Sequence, residues 1–289
     1  MHYEGNMIRP PSEAYSILLQ ATVGCSHNKC TFCGAYKGER FKIKPDAVID
    51  ADIDFAAAHC RRQRRLFICD GDALIIPQKR LLRILRAIRE RLPWVTRVGL
   101  YANTKSIRMK SEAELAELQA HGVGIAYMGV ESGDDVTLAA VRKGANAQSM
   151  IEAGRKLRHA GIKLSITVLL GLAGPERSML HARETGRVIS AIDPEYVGAL
   201  SLMLIPGTPL FDDYQAGRFE LLCPEDMLRE LGVMIAATTM SGGLFHANHA
   251  SNYLPLKLKM PTDKEQALEL IERARRGGVA LKPESMRAL

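Results

Sequence analysis

From residue 15 onward, short runs rich in aliphatic and β-branched residues alternate with longer stretches whose apolar positions recur every three or four residues. The short runs predict strands over 16–22, 66–70, 97–101, 124–128, 163–169 and 196–202, and the longer ones predict helices over 45–60, 77–91, 111–121, 134–142, 147–160 and 175–192. The clearest helix is 77–91, where Leu81, Leu82, Leu85, Ile88 and Leu92 fall on one stripe and arginines on the other. Punctuation agrees with the period. Pro45, Pro77 and Pro175 stand where helices begin, and Gly122 and Gly161 follow helix ends. Strand–helix alternation of this kind predicts an α/β protein with a parallel sheet, either open and doubly wound or curled into a barrel. Polar motifs follow nearly every strand, which favours the curled form, because there the loops after the strands share one face.

The pattern changes after Pro206-Gly207-Thr208-Pro209. A helix over 224–238, an extended polar segment over 244–253 and a closing helix over 263–276 are expected there. The chain then divides into an N-terminal extension (1–14), a main α/β core (15–215) and a C-terminal helical and extended cap (216–289) packed onto that core. No long linker, repeat or low-complexity tract interrupts it.

A chain of 289 residues with 47% hydrophobic and 25% charged residues has the composition of a globular enzyme. The most apolar stretches, 164–172 and 231–237, are too short to span a bilayer, and the first fifteen residues carry no signal-peptide core, so a soluble cytoplasmic protein is expected. The formal charge of +7 is clustered in Arg61, Arg62, Arg64 and Arg65, and again in Arg80, Arg83, Arg86, Arg89 and Arg91. Those residues form either a solvated helix face or a surface for RNA or another polyanion.

Three of the six cysteines lie within nine residues, Cys25, Cys30 and Cys33, at spacing C-x4-C-x2-C. Thiolates crowded in one loop are poor packing groups and good soft ligands for iron-sulfur clusters or zinc. A closed structural site takes four ligands, so three cysteines leave one metal position open. A zinc-binding module in which His27 joins Cys25, Cys30 and Cys33 is the competing arrangement. Cys60, Cys69 and Cys223 share no short spacing and read as buried small hydrophobes, which leaves one cluster.

The cysteine loop follows the first predicted strand, and Phe32 precedes its last cysteine. In these features the chain resembles the radical SAM superfamily, whose usual spacing is C-x3-C-x2-C, with an Elongator/coproporphyrinogen-dehydrogenase-like core. Later segments extend the resemblance in order: Asp70-Gly71-Asp72 after the second strand, Asn103 after the third, Glu131-Ser132 and then Lys143 after the fourth, Leu170 at the end of the fifth and Ile205 after the sixth. It covers about residues 15–210. It implies a partial (β/α)6 TIM-like barrel, a [4Fe-4S] cluster on Cys25, Cys30 and Cys33, and S-adenosylmethionine contacted by Phe32, Asp70, Gly71, Asp72, Asn103, Glu131, Ser132, Lys143, Leu170 and Ile205. It also implies reductive cleavage of S-adenosylmethionine to methionine and a 5′-deoxyadenosyl radical that abstracts hydrogen, with an electron from a reductant such as flavodoxin or ferredoxin. A glycine lets the backbone approach the ligand closely, and Asp72 can accept from its ammonium.

His246, His249 and Asn252, in the polar segment near the C-terminus, are candidates for the substrate side, as hydrogen-bonding groups or a proton carrier. The same segment can equally be a cap that bonds locally. The chain shows no cobalamin-binding extension and no second cysteine cluster, so a small-molecule or cofactor substrate is expected. A tRNA-modifying enzyme using the basic helices is the alternative.

Overall fold

The structure, a computed structural model, describes residues 1–288. Among them are ten strands and ten α-helices. In chain order the elements are β1 (Ile17–Leu19), β2 (Thr22–Val23), β3 (Lys42–Ile43), α1 (Asp46–His59), β4 (Arg65–Ile68), α2 (Gln78–Arg91), β5 (Arg97–Tyr101), α3 (Thr104–Met109), α4 (Glu112–Ala120) and β6 (Val123–Glu131). There follow α5 (Asp135–Ala140), α6 (Ala147–His159), β7 (Lys163–Leu170), α7 (Gly174–Ile192), β8 (Tyr196–Ser201), α8 (Pro209–Gln215), α9 (Pro224–Ala237), β9 (Leu244–His246), β10 (Lys257–Lys259) and α10 (Lys264–Arg275).

The main sheet has the order β1-β4-β5-β6-β7-β8-β9-β10. The pairs β1/β4, β4/β5, β5/β6, β7/β8 and β8/β9 are parallel, and β9/β10 is antiparallel. Each of the six expected strands is present. The first is shorter than expected: the chain leaves the sheet at Gln20, and Thr22–Val23 pairs instead with β3 in a separate two-stranded ribbon. The polar C-terminal segment contributes β9, beside β8, and the sheet gains β10, a strand too short and too charged for periodicity to reveal.

The chain forms two compact units. The first consists of Met1–Asn28, Ala35–Met128 and Lys156–Leu164; the second of Lys29–Gly34, Gly129–Arg155 and the residues from Ser165 onward. In the first, α2 buries Leu81, Leu82, Ile84, Leu85, Ala87 and Ile88, each Leu or Ile side chain contributing about 1.5–3 kcal/mol from the apolar surface removed from water. Its opposite face meets α1. Asp46, Asp50 and Asp54, one turn apart on α1, pair with Arg80, Arg83 and Arg91 at 2.7–3.7 Å. Three of the five helix arginines are thus neutralised by the neighbouring helix, which explains much of the clustered charge without a polyanion. Phe67, Tyr101 and Tyr127 stack edge to face, with centroids 5.0–6.0 Å apart, and the buried Glu13 accepts from the Tyr127 hydroxyl at 2.6 Å.

In the second unit, α7 lies against α9 and α9 against α10. Buried Val141, Leu169, Leu172, Leu202 and Leu210 form an apolar cluster near the C-terminal ends of β7 and β8. Of the three isolated cysteines, Cys69 is buried as expected and the other two are not. Cys60 is half-buried, and Cys223 is exposed because it starts α9, where its thiol reaches Asp226 at 3.2 Å.

Candidate cofactor site

In the first unit, two loops meet at Gly71. After β2 the chain turns at Gly24 in the left-handed region and reaches Cys25. The loop after β4 brings Gly71 alongside, its N–H donating to the Gly24 carbonyl at 3.1 Å. A Cβ on Gly71 would stand 2.8 Å from Cys25 Cβ and 3.0 Å from a Tyr36 ring carbon, so only glycine fits this approach. Asp70, just before it, is held at φ 72°, which is unusual for a residue with a side chain.

Asp72 gathers this rim. It is fully buried, and its Oδ2 accepts from the Ser26 hydroxyl at 2.5 Å and from Asn103 Nδ2 at 2.8 Å, while Oδ1 accepts from the Ser106 hydroxyl at 2.6 Å. Burial pushes its carboxyl up to about 6, outweighing the opposing pull of those hydrogen bonds. Asn103 also caps α3, its Oδ1 accepting from the Ser106 N–H at 2.9 Å in a reciprocal capping box. Both predicted residues therefore tie the cysteine loop to the ends of β4 and β5. Asp70 is likewise buried, and burial pushes it up to about 6 against the pull of Gln20.

The second unit holds the rest of the cysteine loop. The Thr31 N–H donates to the Val141 carbonyl and the Thr31 carbonyl accepts from the Leu210 N–H, each at 3.0 Å, so the backbone between Cys30 and Cys33 is stitched on both sides. Phe32 packs on the leucine-rich cluster, and Ile205 stands where a Cβ on Gly34 would lie, 2.6 Å from it. Glu131, at φ 65°, pairs with Lys143 at 2.9 Å, both side chains largely buried. Leu170 is buried and its carbonyl accepts from the Leu202 N–H at 2.9 Å.

Ser132 belongs to a buried relay that the sequence did not announce. His181 Nε2 lies 3.1 Å from the Leu169 carbonyl and 3.4 Å from Glu230 Oε1, both acceptors, so Nε2 carries a proton, and Nδ1 meets the Ser132 hydroxyl at 2.7 Å. Glu230 of α9 accepts from the Gly171 N–H at 2.6 Å and from the Ser178 hydroxyl, pinning the turn after β7. Asp134 accepts both arms of Arg177 at 2.8 and 2.9 Å and caps α5 through the Thr137 N–H at 3.1 Å. The Arg177 guanidinium holds its carboxyl well below the usual carboxylate range.

Near the C-terminus, His246 lies on β9 and His249 in the turn beyond it. Burial lowers the pKa of both, with further lowering from Lys257 and Lys282 respectively. His249 Nδ1 contacts the Ser251 hydroxyl at 2.9 Å. Asn252 is buried, accepting from the Ser201 hydroxyl and donating to the Ala199 carbonyl, both at 2.8 Å. Its amide thus fastens the segment to β8.

Among the described residues no group of three or more His, Cys, Asp or Glu side chains is gathered at metal-holding distance. The donor chemistry nonetheless fits an iron-sulfur cluster: Cys25, Cys30 and Cys33 are partly exposed thiols outside any disulfide, whereas Cys69 is buried and burial pushes its thiol up.

Comparison with known proteins bears on the whole arrangement. A family model described as the Radical SAM superfamily matches residues 19–184, more than half of the chain. The uncharacterized protein MJ0486 of Methanocaldococcus jannaschii is 30% identical over 128 residues, 43% of this chain and 39% of that protein. The uncharacterized protein YtqA of Bacillus subtilis is 25% identical over 115 residues, 40% of this chain and 35% of that protein. The matches therefore span well under half the length of these relatives. Among solved structures, the Escherichia coli coproporphyrinogen III oxidase, a radical SAM enzyme, superposes with a TM-score of 0.56 at 16% identity, covering 76% of this chain and 51% of that one. The likeness gives the fold, a partial TIM barrel with a mainly parallel sheet.

Proposed function

The chain belongs to the radical SAM superfamily, whose members use a [4Fe-4S] cluster and S-adenosylmethionine, and from that premise we propose that Cys25, Cys30 and Cys33 ligate its cluster and that the turn at Gly71 receives S-adenosylmethionine. The observation that carries the reading is the approach of Gly71 to Cys25, too close for any side chain. It brings backbone polar groups of a strand-end turn to the first cysteine of the loop. When bound, the cluster supplies an electron that cleaves S-adenosylmethionine to methionine and a 5′-deoxyadenosyl radical.

The protein's part is to position and to exclude water. Phe32 and Ile205 offer apolar surface beside the cysteines, suited to a purine face. The Glu131 carboxylate, held by Lys143, can accept from ribose hydroxyls. Ser132 and the Leu170–Gly171 turn are kept in place by His181 and Glu230. Asp72 and Asn103 hold Ser26, next to Cys25, and so fix the loop from which that thiol projects. His246 and His249, both biased to the neutral form by burial, suit a substrate-side role as hydrogen-bond partners or proton carriers.

A small-molecule or cofactor substrate is favoured over tRNA. Arg80, Arg83 and Arg91 are paired with α1, and the Arg61–Arg65 run precedes β4, at the opposite end of that strand from Gly71. That leaves fewer unpaired charges for a polyanion than the sequence alone suggests. A cytosolic reductant of the flavodoxin or ferredoxin type would supply the electron.

Anaerobic reconstitution followed by dithionite and S-adenosylmethionine tests the reading. About four irons and four labile sulfides per chain, with 5′-deoxyadenosine formed by the native chain and not by Cys30→Ala, are expected. Stoichiometric zinc without labile sulfide, held by Cys25, His27, Cys30 and Cys33, would replace it with the binding-module reading.

A further inference from the structure

Gln20 stands where the chain leaves β1, fully buried, with every polar group of its amide engaged. Its Oε1 accepts from the Glu4 N–H at 2.8 Å, and its Nε2 donates to the Glu4 carbonyl and to Asp70 Oδ2, each at 2.7 Å. One side chain thus reads the backbone of a strap near the N-terminus, as a neighbouring strand would, and passes the connection to the residue before Gly71. The strap is anchored on either side of that contact. The His2 N–H and Nδ1 meet the buried Asp52 at 2.7 and 2.8 Å, the buried Lys44 ammonium donates to the His2 carbonyl, and Lys42 meets Glu4 at 2.5 Å.

Asp70 needs such a holder. Its backbone lies in the left-handed region, which side chains other than glycine's disfavour. Besides Gln20, the Gly24 backbone also pulls on its carboxyl by hydrogen bonding. Tyr36 is close enough to pull on the Asp70 carboxyl, and its ring touches the space a Gly71 side chain would need.

We propose that Gln20 is a positioning residue for the cofactor turn: it fastens Asp70 to the strap so that Gly71 stays against Cys25 and the turn's polar groups face S-adenosylmethionine. The proposal rests on the cofactor reading above, and its test separates the two. In the metal-free protein, Gln20→Met, which keeps length and bulk but removes the hydrogen bonds, is expected to speed amide exchange at Gly71 by about tenfold, the loss of one bond to a charged group. After reconstitution it is expected to retain its iron and sulfide while binding S-adenosylmethionine about tenfold more weakly, with a smaller ligand-induced change in the electron paramagnetic resonance of the reduced cluster.

Asp70→Asn keeps an oxygen for Gln20 and tolerates the left-handed turn, so it should bind the ligand within about threefold of the native chain, whereas Asp70→Ala should lose about tenfold. Native exchange at Gly71 in Gln20→Met, or equal losses in Asp70→Asn and Asp70→Ala, would overturn the proposal. Should Gln20→Met not fold, the Asp70 pair decides alone. A native protein that takes up no cluster would overturn the cofactor reading, while the exchange measurement would still judge Gln20.

Discussion

Two buried aspartates close strand ends, one in each compact unit, and they are held in opposite ways. Asp72 receives three bonds from neutral donors, Ser26, Asn103 and Ser106, with Lys110 acting on it only through charge, and burial lifts its carboxyl to about 6. Asp134 receives both arms of Arg177 and stays ionised far into acid. Neutral donors fix a carboxylate's direction but do little to offset the loss of water around it; a guanidinium does both. The first arrangement ties Ser26, next to the Cys25 thiol, to the ends of β4 and β5. The second simply locks the start of a helix.

The comparison breaks first at Gly71, which shares the neutral rim and has no slack toward Cys25. Gly71→Ala is expected to fold, by far-ultraviolet circular dichroism, yet lose most of its iron and sulfide on reconstitution, because the new Cβ meets Cys25 Cβ at 2.8 Å. Native iron content in that variant would show that the approach is adjustable. A second test uses pH. Asp72 has a raised folded pKa, so its ionisation weakens folding: stability from this group is greatest below about 4 and falls as pH rises to about 6.

Asp72→Asn removes that titration and leaves Asp70 unchanged, and Ser106 can accept from the new amide while donating to the Asn103 carbonyl. Relative to the native chain, the metal-free variant should therefore gain about 2–3 kcal/mol between pH 4 and pH 7 in urea unfolding. A parallel pH dependence of the two proteins would mean that water or a cation reaches Asp72. The smallest effect is expected at Asp134→Ala, about 1 kcal/mol at neutral pH from the lost helix cap. Its sign with pH is opposite to that at Asp72. The folded pKa is depressed, so the stabilisation is present above the ordinary aspartate range and disappears as pH falls through the folded value. Thermal unfolding of native and variant chains at neutral pH and near pH 2 would show whether their difference shrinks in acid, as expected, or stays constant.

Much of this was legible in advance, and the reasons are local. The strand at 97–101 and the helix at 77–91 emerge nearly to the residue because alternation and a 3.6-residue stripe are properties of neighbours in sequence. Asn103-x-x-Ser106 carries the start signal of α3, a helix too short for the apolar period to reveal, while the helix starting at Asp134 was expected. His181 and Glu230 offered no signal at all. Each lies within an ordinary amphipathic helix, and what makes them part of a rim is a partner 49 or 52 residues away. The arginines of α2 left two readings open, since the acidic stripe that pairs with Arg80, Arg83 and Arg91 lies on α1, more than thirty residues earlier.

What the amino-acid order determined by itself is the set of elements, the sequence of polar turns after the strands and the three thiols in one loop. These follow from side-chain periodicity and from the donor chemistry of cysteine. Only the tertiary structure decided which polar groups bond to each other: that Asp72 and Asn103 bind the cysteine loop, that Gln20 holds Asp70, and that Asn252 fastens its segment to β8. The physical reason is that hydrogen bonding and the cost of burying charge depend on the few atoms within a few ångströms, and those atoms come from distant parts of the chain.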